Sequence, residues 1–278
     1  MCSRALRVVT TFFAPLPSES RFLSVVSPFP LFAPARSVAV VCDLRWMRTR
    51  ARLARAYRGW DLRRTVRGAE TIVCISQRTR DDLVAYLPSS ADKTGVAWLG
   101  PGIVPADAFA PNHSGVVLLV GGAVHKRNEF AARMLADAKP AWLRSAEGVG
   151  VSTEVRAILE ASLGADRCRW HDRISDDELL SVYRRAEYFV LFSREEGFGM
   201  PFVEALAAGC KVVAIDQPVT RELLGEAGCL IREDSGESVV LQFLNLRSVG
   251  AETRRRRAAL YSWASFADAI ELAIRASG

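Results

Sequence analysis

Short runs of β-branched and aliphatic residues, each followed by a stretch with helical spacing, constrain this chain more than any other feature. A strand buried on both faces of a parallel sheet reads as a continuous apolar run, and parallel neighbours need a crossover between them, usually a helix. Ser37 to Cys42 (SVAVVC), Thr71 to Ile75 (TIVCI) and Gly95 to Leu99 make one such series. Between the first two, Arg45 to Val66 carries Leu53, Ala56, Tyr57, Trp60, Leu62 and Val66 near helical spacing, and Ser76 is placed to cap a helix ending near Tyr86. Gly100 to Gly115, with Pro101, Gly102, Pro105, Pro111 and Asn112, interrupts the rhythm and reads as a long loop or linker.

The rhythm then restarts. Strands are expected at Val116 to Val120, near Val149, and at Arg167 to Trp170, Tyr188 to Phe192, Lys211 to Ile215 and Cys229 to Ile231. Helices alternate with them at Asn128 to Ala138, Thr153 to Leu163, after Ser175, at Pro201 to Ala208 and at Thr220 to Gly225, with a helical end from Glu237 onward. Ser175 and Glu178 have the spacing of a capping box. The expected fold class is α/β with two Rossmann-like blocks, residues 1–112 and 113–278, and folds of this kind bind ligands beyond the carboxyl ends of their strands.

Composition narrows the function classes. Half of the 278 residues are hydrophobic, enough for a packed core and too many for a disordered chain. The net charge of +6 comes from 37 basic and 31 acidic residues; only Lys93, Lys126, Lys139 and Lys211 are lysines, the other 33 cations being arginines. That excess suits anionic ligands, anionic membrane surfaces or nucleic acid without choosing among them. Six cysteines without a C-x-x-C, and three histidines, argue against structural zinc and for a reducing compartment. No apolar run approaches the ~18 residues of a membrane span. Apolar patches near Val8 to Phe13 are followed by Pro15, Pro17, Pro28, Pro30 and Pro34, poor material for a signal-peptide core. A cytoplasmic location is expected.

Two stretches can carry chemistry. In Ser193 to Gly209 (SREEGFGMPFVEALAAG) an apolar strand leaves through Gly197 and Gly199 into a helix whose first position is read as Pro201. Glycines there let backbone amides approach a ligand, and the free N–H groups of a helix start suit a diphosphate. Glu196 precedes the turn and Glu204 follows eight positions later; carboxylates so placed can accept hydrogen bonds from sugar hydroxyls. In Gly121 to Asn128 (GGAVHKRN), Gly121 and Gly122 follow a strand, and Lys126 and Arg127 could neutralise a diphosphate leaving group. Taken singly, each stretch is more often an ordinary solvated turn. No G-x-x-x-x-G-K-[ST], G-x-S-x-G or H-E-x-x-H occurs, and the nearest dinucleotide fingerprint, at Gly148 to Thr153, lacks its third glycine.

Together these residues carry a resemblance. EEGFGMPFVEALAAG, with Glu196 and Glu204 spaced E-x7-E, resembles the signature of family-4 retaining glycosyltransferases, which have the two-domain GT-B fold. GGAVHKRN is similar to that family's G-x4-R-K-N segment, with arginine in the lysine place. ETIVCISQRTRDDL resembles an element of its acceptor domain, VVAIDQPVTRELLGEAGCLI with Glu222 the segment after the signature, and Trp263 with the final helix the helix that crosses back. The resemblance implies that Glu204 holds ribose hydroxyls and that Glu196 faces the hexose. It implies that the backbone from Gly197 through Phe198, Gly199 and Met200, with Gly121 and Gly122, meets sugar and phosphate. Lys126 and Arg127 would stabilise the departing diphosphate, with no metal and no cofactor beyond the nucleotide-sugar donor.

Two departures accompany it. Cys42 (VAVVCDL) stands where the family commonly has a histidine; as a bland residue it would be small and buried at a strand end. The first block offers three clear strands and no opening glycine-rich loop, so the first domain reads as incomplete. The expected function is transfer of a hexose, mannose from GDP-mannose being the commonest choice, to a glycan or lipid-linked acceptor, with peripheral contact at the inner face of the membrane. The alternative is a truncated paralogue that binds nucleotide sugar and is catalytically weak or inactive. Nucleic-acid binding by Arg45 to Arg67 is disfavoured, since Trp46, Leu53, Tyr57 and Leu62 interrupt the arginines.

Overall fold

The computed structural model describes residues 22–24, 37–48, 51–103, 109–232 and 249–276. The proline-broken start, and the part of the expected C-terminal helix from Glu237 to residue 248, lie outside them. The chain divides into two compact units, one of Met1–Ile75, Thr79–Ala97 and Asp268–Gly278, the other of Ser76–Arg78 and Trp98–Ala267.

The first unit holds a parallel sheet of β1 (Phe22–Ser24), β2 (Ser37–Val41), β3 (Thr71–Cys74) and β4 (Thr94–Val96), in that order. β1 has no counterpart among the expected strands. β4 stops at Val96 rather than Leu99 because Trp98 packs in the second unit, where its indole N–H donates to Glu222 at 2.7 Å. Helix α1 (Arg52–Gly68) follows β2, and α2 (Gln77–Tyr86) follows β3. The expected helix from Arg45 is broken: Arg45–Arg48 makes one 3-10 turn and α1 starts afresh at Arg52. Of the apolar residues at helical spacing only Leu62 and Val66 join the core of Ala39, Val41, Ile72 and Leu83. Leu53, Tyr57 and Trp60 are 88%, 54% and 52% exposed. The carboxyl end of α1 is closed by Lys93, whose ammonium donates to the carbonyls of Ala69 (2.7 Å) and Val66.

The second unit is a six-stranded parallel sheet. Its strands are β5 (Val116–Val120), β6 (Ser145–Val149), β7 (Cys168–His171), β8 (Tyr188–Leu191), β9 (Lys211–Ile215) and β10 (Gly228–Ile231). They lie in the order β10-β9-β8-β5-β6-β7. Helices α3 (Asn128–Ala138), α4 (Thr153–Leu163), α5 (Asp176–Arg185), α6 (Met200–Ala208) and α7 (Pro218–Leu224) connect them, α8 (Ala251–Ala258) follows, and α9 (Trp263–Ala276) starts in this unit and belongs to the first from Asp268 onward. The capping box expected at Ser175 and Glu178 opens α5. β6 is longer than its weak apolar signal because Glu147 sits inside it, only 3% exposed, held by two hydrogen bonds from Arg185 at 3.1 and 2.8 Å. Val117, Leu119, Val190, Phe192, Val213 and Ile215 face one layer, with Ala131 and Leu135 of α3 and Val155 and Leu159 of α4. On the other side Phe189 packs against Tyr183 of α5 and Phe202 of α6, with ring centroids 5.8 and 6.1 Å apart. Each such fully buried side chain contributes about 1.5–3 kcal/mol. No described helix is long and apolar enough to cross a membrane.

Two polar anchors hold this unit. Glu187, just before β8, accepts from the Gly115 amide and the Lys211 ammonium, both at 2.8 Å, and so joins the amino ends of β5, β8 and β9. Burial works to raise its pKa, but the bonds from Lys211 and Gly115 outweigh burial and lower it. Arg254 of α8, 3% exposed, donates to the Gly209 carbonyl at the end of α6, and burial pushes its pKa down.

Arg254→Ala strips the only donor seen on that carbonyl among the described residues, and a hydrogen bond to a charged group is worth about 1.5–3 kcal/mol; urea unfolding should show that loss. Because the pKa of Glu187 is lower folded than unfolded, its contribution is complete above the ordinary glutamate value of about 4.3 and disappears as pH falls through the lowered one. Glu187→Gln is therefore expected to lower Tm at neutral pH and to flatten the acid limb of a Tm-against-pH curve.

Candidate functional site

In the second unit the chain reverses its progress across the sheet once. From β5 it moves to β6 and β7, then returns to the far side of β5 with β8 and continues to β9 and β10. The connections on either side of that point leave in opposite directions, so a crevice opens beyond the carboxyl ends of β5 and β8, where open α/β sheets bind ligands. Both stretches singled out in the sequence fall there, Gly121 to Asn128 after β5 and Ser193 to Met200 after β8.

Main-chain and side-chain bonds lock these turns together. The Arg194 amide donates to the His125 carbonyl at 3.2 Å, and the Gly121 amide to Val149 at 2.7 Å. Gln217, at the turn after β9, donates its side-chain amide to the Ser193 carbonyl at 2.7 Å.

In the first turn, Lys126 ends a 3-10 turn (Val124–Lys126) and folds back over Gly121, where any Cβ would collide with its ammonium. Gly122 is exposed, and a Cβ there would stand 2.6 Å from the Gly150 carbonyl oxygen. Arg127 adopts left-handed backbone, φ 54°, and lays its guanidinium over the Phe130 ring, 4.3 Å from the centroid. The two cations thus take separate places. Lys126 acts electrostatically on Glu204, while Arg127 packs on an aromatic face. Asn128 braces the turn by donating to the carbonyls of Val120 (3.3 Å) and Gly121, and its Oδ1 is buried without a partner among the described residues.

In the second turn Glu196 is half-buried, and its Oε1 lies out of solvent with no hydrogen-bond partner among the described residues; the Oγ of Ser193 is in the same state. An unsatisfied buried polar group costs about 1–3 kcal/mol, which a donor on a ligand would recover. Gly197 carries the chain past Glu196. Phe198 is buried and its ring meets Tyr261 edge-on at 6.2 Å, so only its backbone is available to a ligand. Gly199 has φ 98°, and a Cβ would stand 2.7 Å from the Phe202 ring, so this position needs glycine. α6 then begins at Met200, one residue before the expected start; Pro201 occupies the first turn, where a missing N–H costs nothing.

Glu204 is 9% exposed on α6. Its carboxylate accepts from the Tyr183 hydroxyl at 2.9 Å. Burial dominates and raises its pKa, against the lowering effect of that bond, of the Gly102 and Ile103 amides and of Lys126. A carboxylate offers about four lone-pair positions, so the Tyr183 bond leaves room for a ligand. Tyr183 is fully buried, and burial together with the neighbouring Glu204 pushes its pKa well up. Tyr183, Ser193, Gln217 and the Gly102–Ile103 amides were not anticipated from the sequence. Tyr183 reads there as an ordinary core residue of an amphipathic helix, and nothing in the spacing signals a partner twenty-one positions on. In the first unit Cys42 lies exposed at the end of β2, not buried as its bland reading expected. Among the described residues no group of three or more His, Cys, Asp or Glu converges.

Comparison with known proteins bears on this geometry. Residues 114–248 match the family described as "Glycosyl transferases group 1". MMP alpha-(1->4)-mannosyltransferase of Mycolicibacterium hassiacum is 33% identical over 120 residues, 39% of this chain and 29% of that protein. GDP-mannose:cellobiosyl-diphosphopolyprenol alpha-mannosyltransferase of Xanthomonas oryzae pv. oryzae is 31% identical over 117 residues, 39% of this chain and 30% of that protein. The matched segment therefore spans less than a third of each of these relatives. The solved sucrose-phosphate synthase of Thermosynechococcus elongatus superposes with a TM-score of 0.66 at 17% identity, over 88% of this chain and 68% of its own. Residues 114–248 thus resemble a glycosyl transferases group 1 domain, and the chain has the two-unit parallel α/β fold, GT-B, of solved glycosyltransferases.

Proposed function

We propose that this chain is a retaining glycosyltransferase that moves mannose from GDP-mannose to a glycan or lipid-linked acceptor at the inner face of a membrane. The observation that carries the reading is the buried, unpartnered Oε1 of Glu196 at the strand crossover point, beside the start of α6 and within the domain that matches the family. The relatives' names support the sugar: both are called mannosyltransferases, and one is named for GDP-mannose and a diphosphopolyprenol acceptor.

In this reading the free amides at Gly199, Met200 and the following turn, with Gly121 and Gly122, receive the diphosphate. Lys126 lies close enough to the α6 start to influence Glu204, and it takes up negative charge as the bond between sugar and diphosphate breaks. Arg127 adds positive charge from its place on Phe130. Glu196 accepts a hexose hydroxyl and so fixes the ring. Glu204 accepts a ribose hydroxyl beside the Tyr183 bond. Protein cations and amides do the work of a metal, so none is needed.

A second reading, donor binding with weak transfer, rests on Cys42. A thiol there cannot supply the hydrogen bonds or charge of the histidine that the resemblance expects. Radiolabelled-donor assays with lipid-linked and free glycan acceptors separate the two, since multiple turnover supports transfer and stoichiometric retention of donor supports binding alone. Under the second reading Cys42→His by itself leaves transfer low.

Titration calorimetry tests the site. Glu204→Ala is expected to weaken GDP-mannose binding by about 1.5–3 kcal/mol, the worth of a hydrogen bond to a charged group. EDTA should leave wild-type binding nearly unchanged; binding that demands magnesium would contradict the assignment of Lys126 and Arg127.

A further inference from the structure

Helix α1 of the first unit inverts the usual arrangement of a surface helix. It carries six arginines and a single acid, Asp61, which is buried and paired with Arg64 at 3.3 Å. Its first two turns, Arg52 to Arg58, are exposed throughout. Leu53, Tyr57 and Trp60 recur at i, i+4 and i+7, so they form one stripe, and this stripe faces solvent while Leu62 and Val66 face the core. A leucine 88% exposed beside two half-exposed aromatics is unfavourable in water unless something covers it.

A pocket of about 310 Å³ lies along the adjoining edge of the helix, lined by Arg52, Arg55, Arg63, Trp46 and Tyr86 among others. Its aromatic wall is fixed. Trp46 meets Tyr86 edge-on at 6.1 Å, the Arg63 guanidinium sits 4.9 Å over the Tyr86 ring, and Gly59 leaves the space that Tyr86 occupies. Among the described residues no carboxylate pairs with Arg52, Arg58, Arg63 or Arg67. The first turn of α1 also lacks an acid and a side-chain cap, so Arg52 stands at the positive end of the helix dipole with no acid of that turn beside it.

We infer that this face docks on an anionic phospholipid surface, with Leu53, Tyr57 and Trp60 entering the interface and the Arg52–Arg63 pocket receiving a lipid phosphate. Charge and shape both select that partner. Trp and Tyr favour the headgroup boundary, arginine stems reach outward to phosphates, and leucine adds buried apolar area. A second copy of the same face would set arginines against arginines. Nucleic acid would satisfy the arginines and leave Leu53 in water. The inference gives residues to the membrane contact of the proposed function, yet it needs neither donor nor acceptor, so either can fail without the other.

Vesicle flotation of the full chain tests it. Vesicles of phosphatidylcholine with roughly a third phosphatidylglycerol should bind at least about tenfold more tightly than pure phosphatidylcholine, and added salt should weaken that binding. The L53S/Y57S/W60S and R52Q/R63Q variants alter exposed side chains and should keep wild-type circular dichroism and GDP-mannose affinity. The first should abolish flotation, and the second should weaken it by about ten- to thirtyfold. Equal partition to both vesicle types, or flotation unchanged in the apolar triple variant, would overturn the inference. So would a dimer in solution that the triple variant dissolves, or full competition by a DNA oligonucleotide of equal charge.

Discussion

The rule that parallel strands need a crossover on every return governs this molecule. Every strand of the second unit runs the same way, so every strand-to-helix turn emerges on one edge of the sheet. Because the chain reverses direction between β5 and β8, the turns after those two strands become neighbours although 68 residues separate Ser193 from His125, and the Arg194-to-His125 hydrogen bond closes the contact. Lys126, Glu196 and the start of α6 come together for that topological reason. Each of the two stretches is an ordinary turn in isolation, and the sheet makes them neighbours.

Carboxylates show how stability and reactivity are separated along the same strands. At the amino edge Glu187 takes an amide and an ammonium, and within β6 Glu147 takes both prongs of Arg185. Both are spent on holding the sheet. At the carboxyl edge Glu204 is partly satisfied by Tyr183, and Glu196 Oε1 has no partner among the described residues. Buried polar groups are nearly always paired, and Glu196 is the one carboxylate among the described residues whose buried oxygen lacks a partner.

Sequence reading recovered the strands whose apolar runs are uninterrupted, and it failed where a local pattern answers to a distant partner. Glu147 obscured β6 because its arginine lies on α5, and β4 ended early because Trp98 packs in the other unit. The stripe Leu53, Tyr57, Trp60 has the period of a core face and turned outward, since period alone does not say which side of a helix meets the sheet. In the site, Gly199 could be read because backbone geometry requires glycine there, and the Glu196–Glu204 spacing because it resembles a family signature. Tyr183, Gln217 and the Gly102–Ile103 amides could not, because they reach the site only through tertiary packing.

A crystal structure of the chain with GDP-mannose bound tests the central claim most directly. The account predicts the diphosphate beyond the carboxyl ends of β5 and β8, on the amides that open α6 and within reach of Lys126, with a hexose hydroxyl donating to Glu196 Oε1. A nucleotide sugar seated elsewhere, with that oxygen still unpartnered, would contradict it.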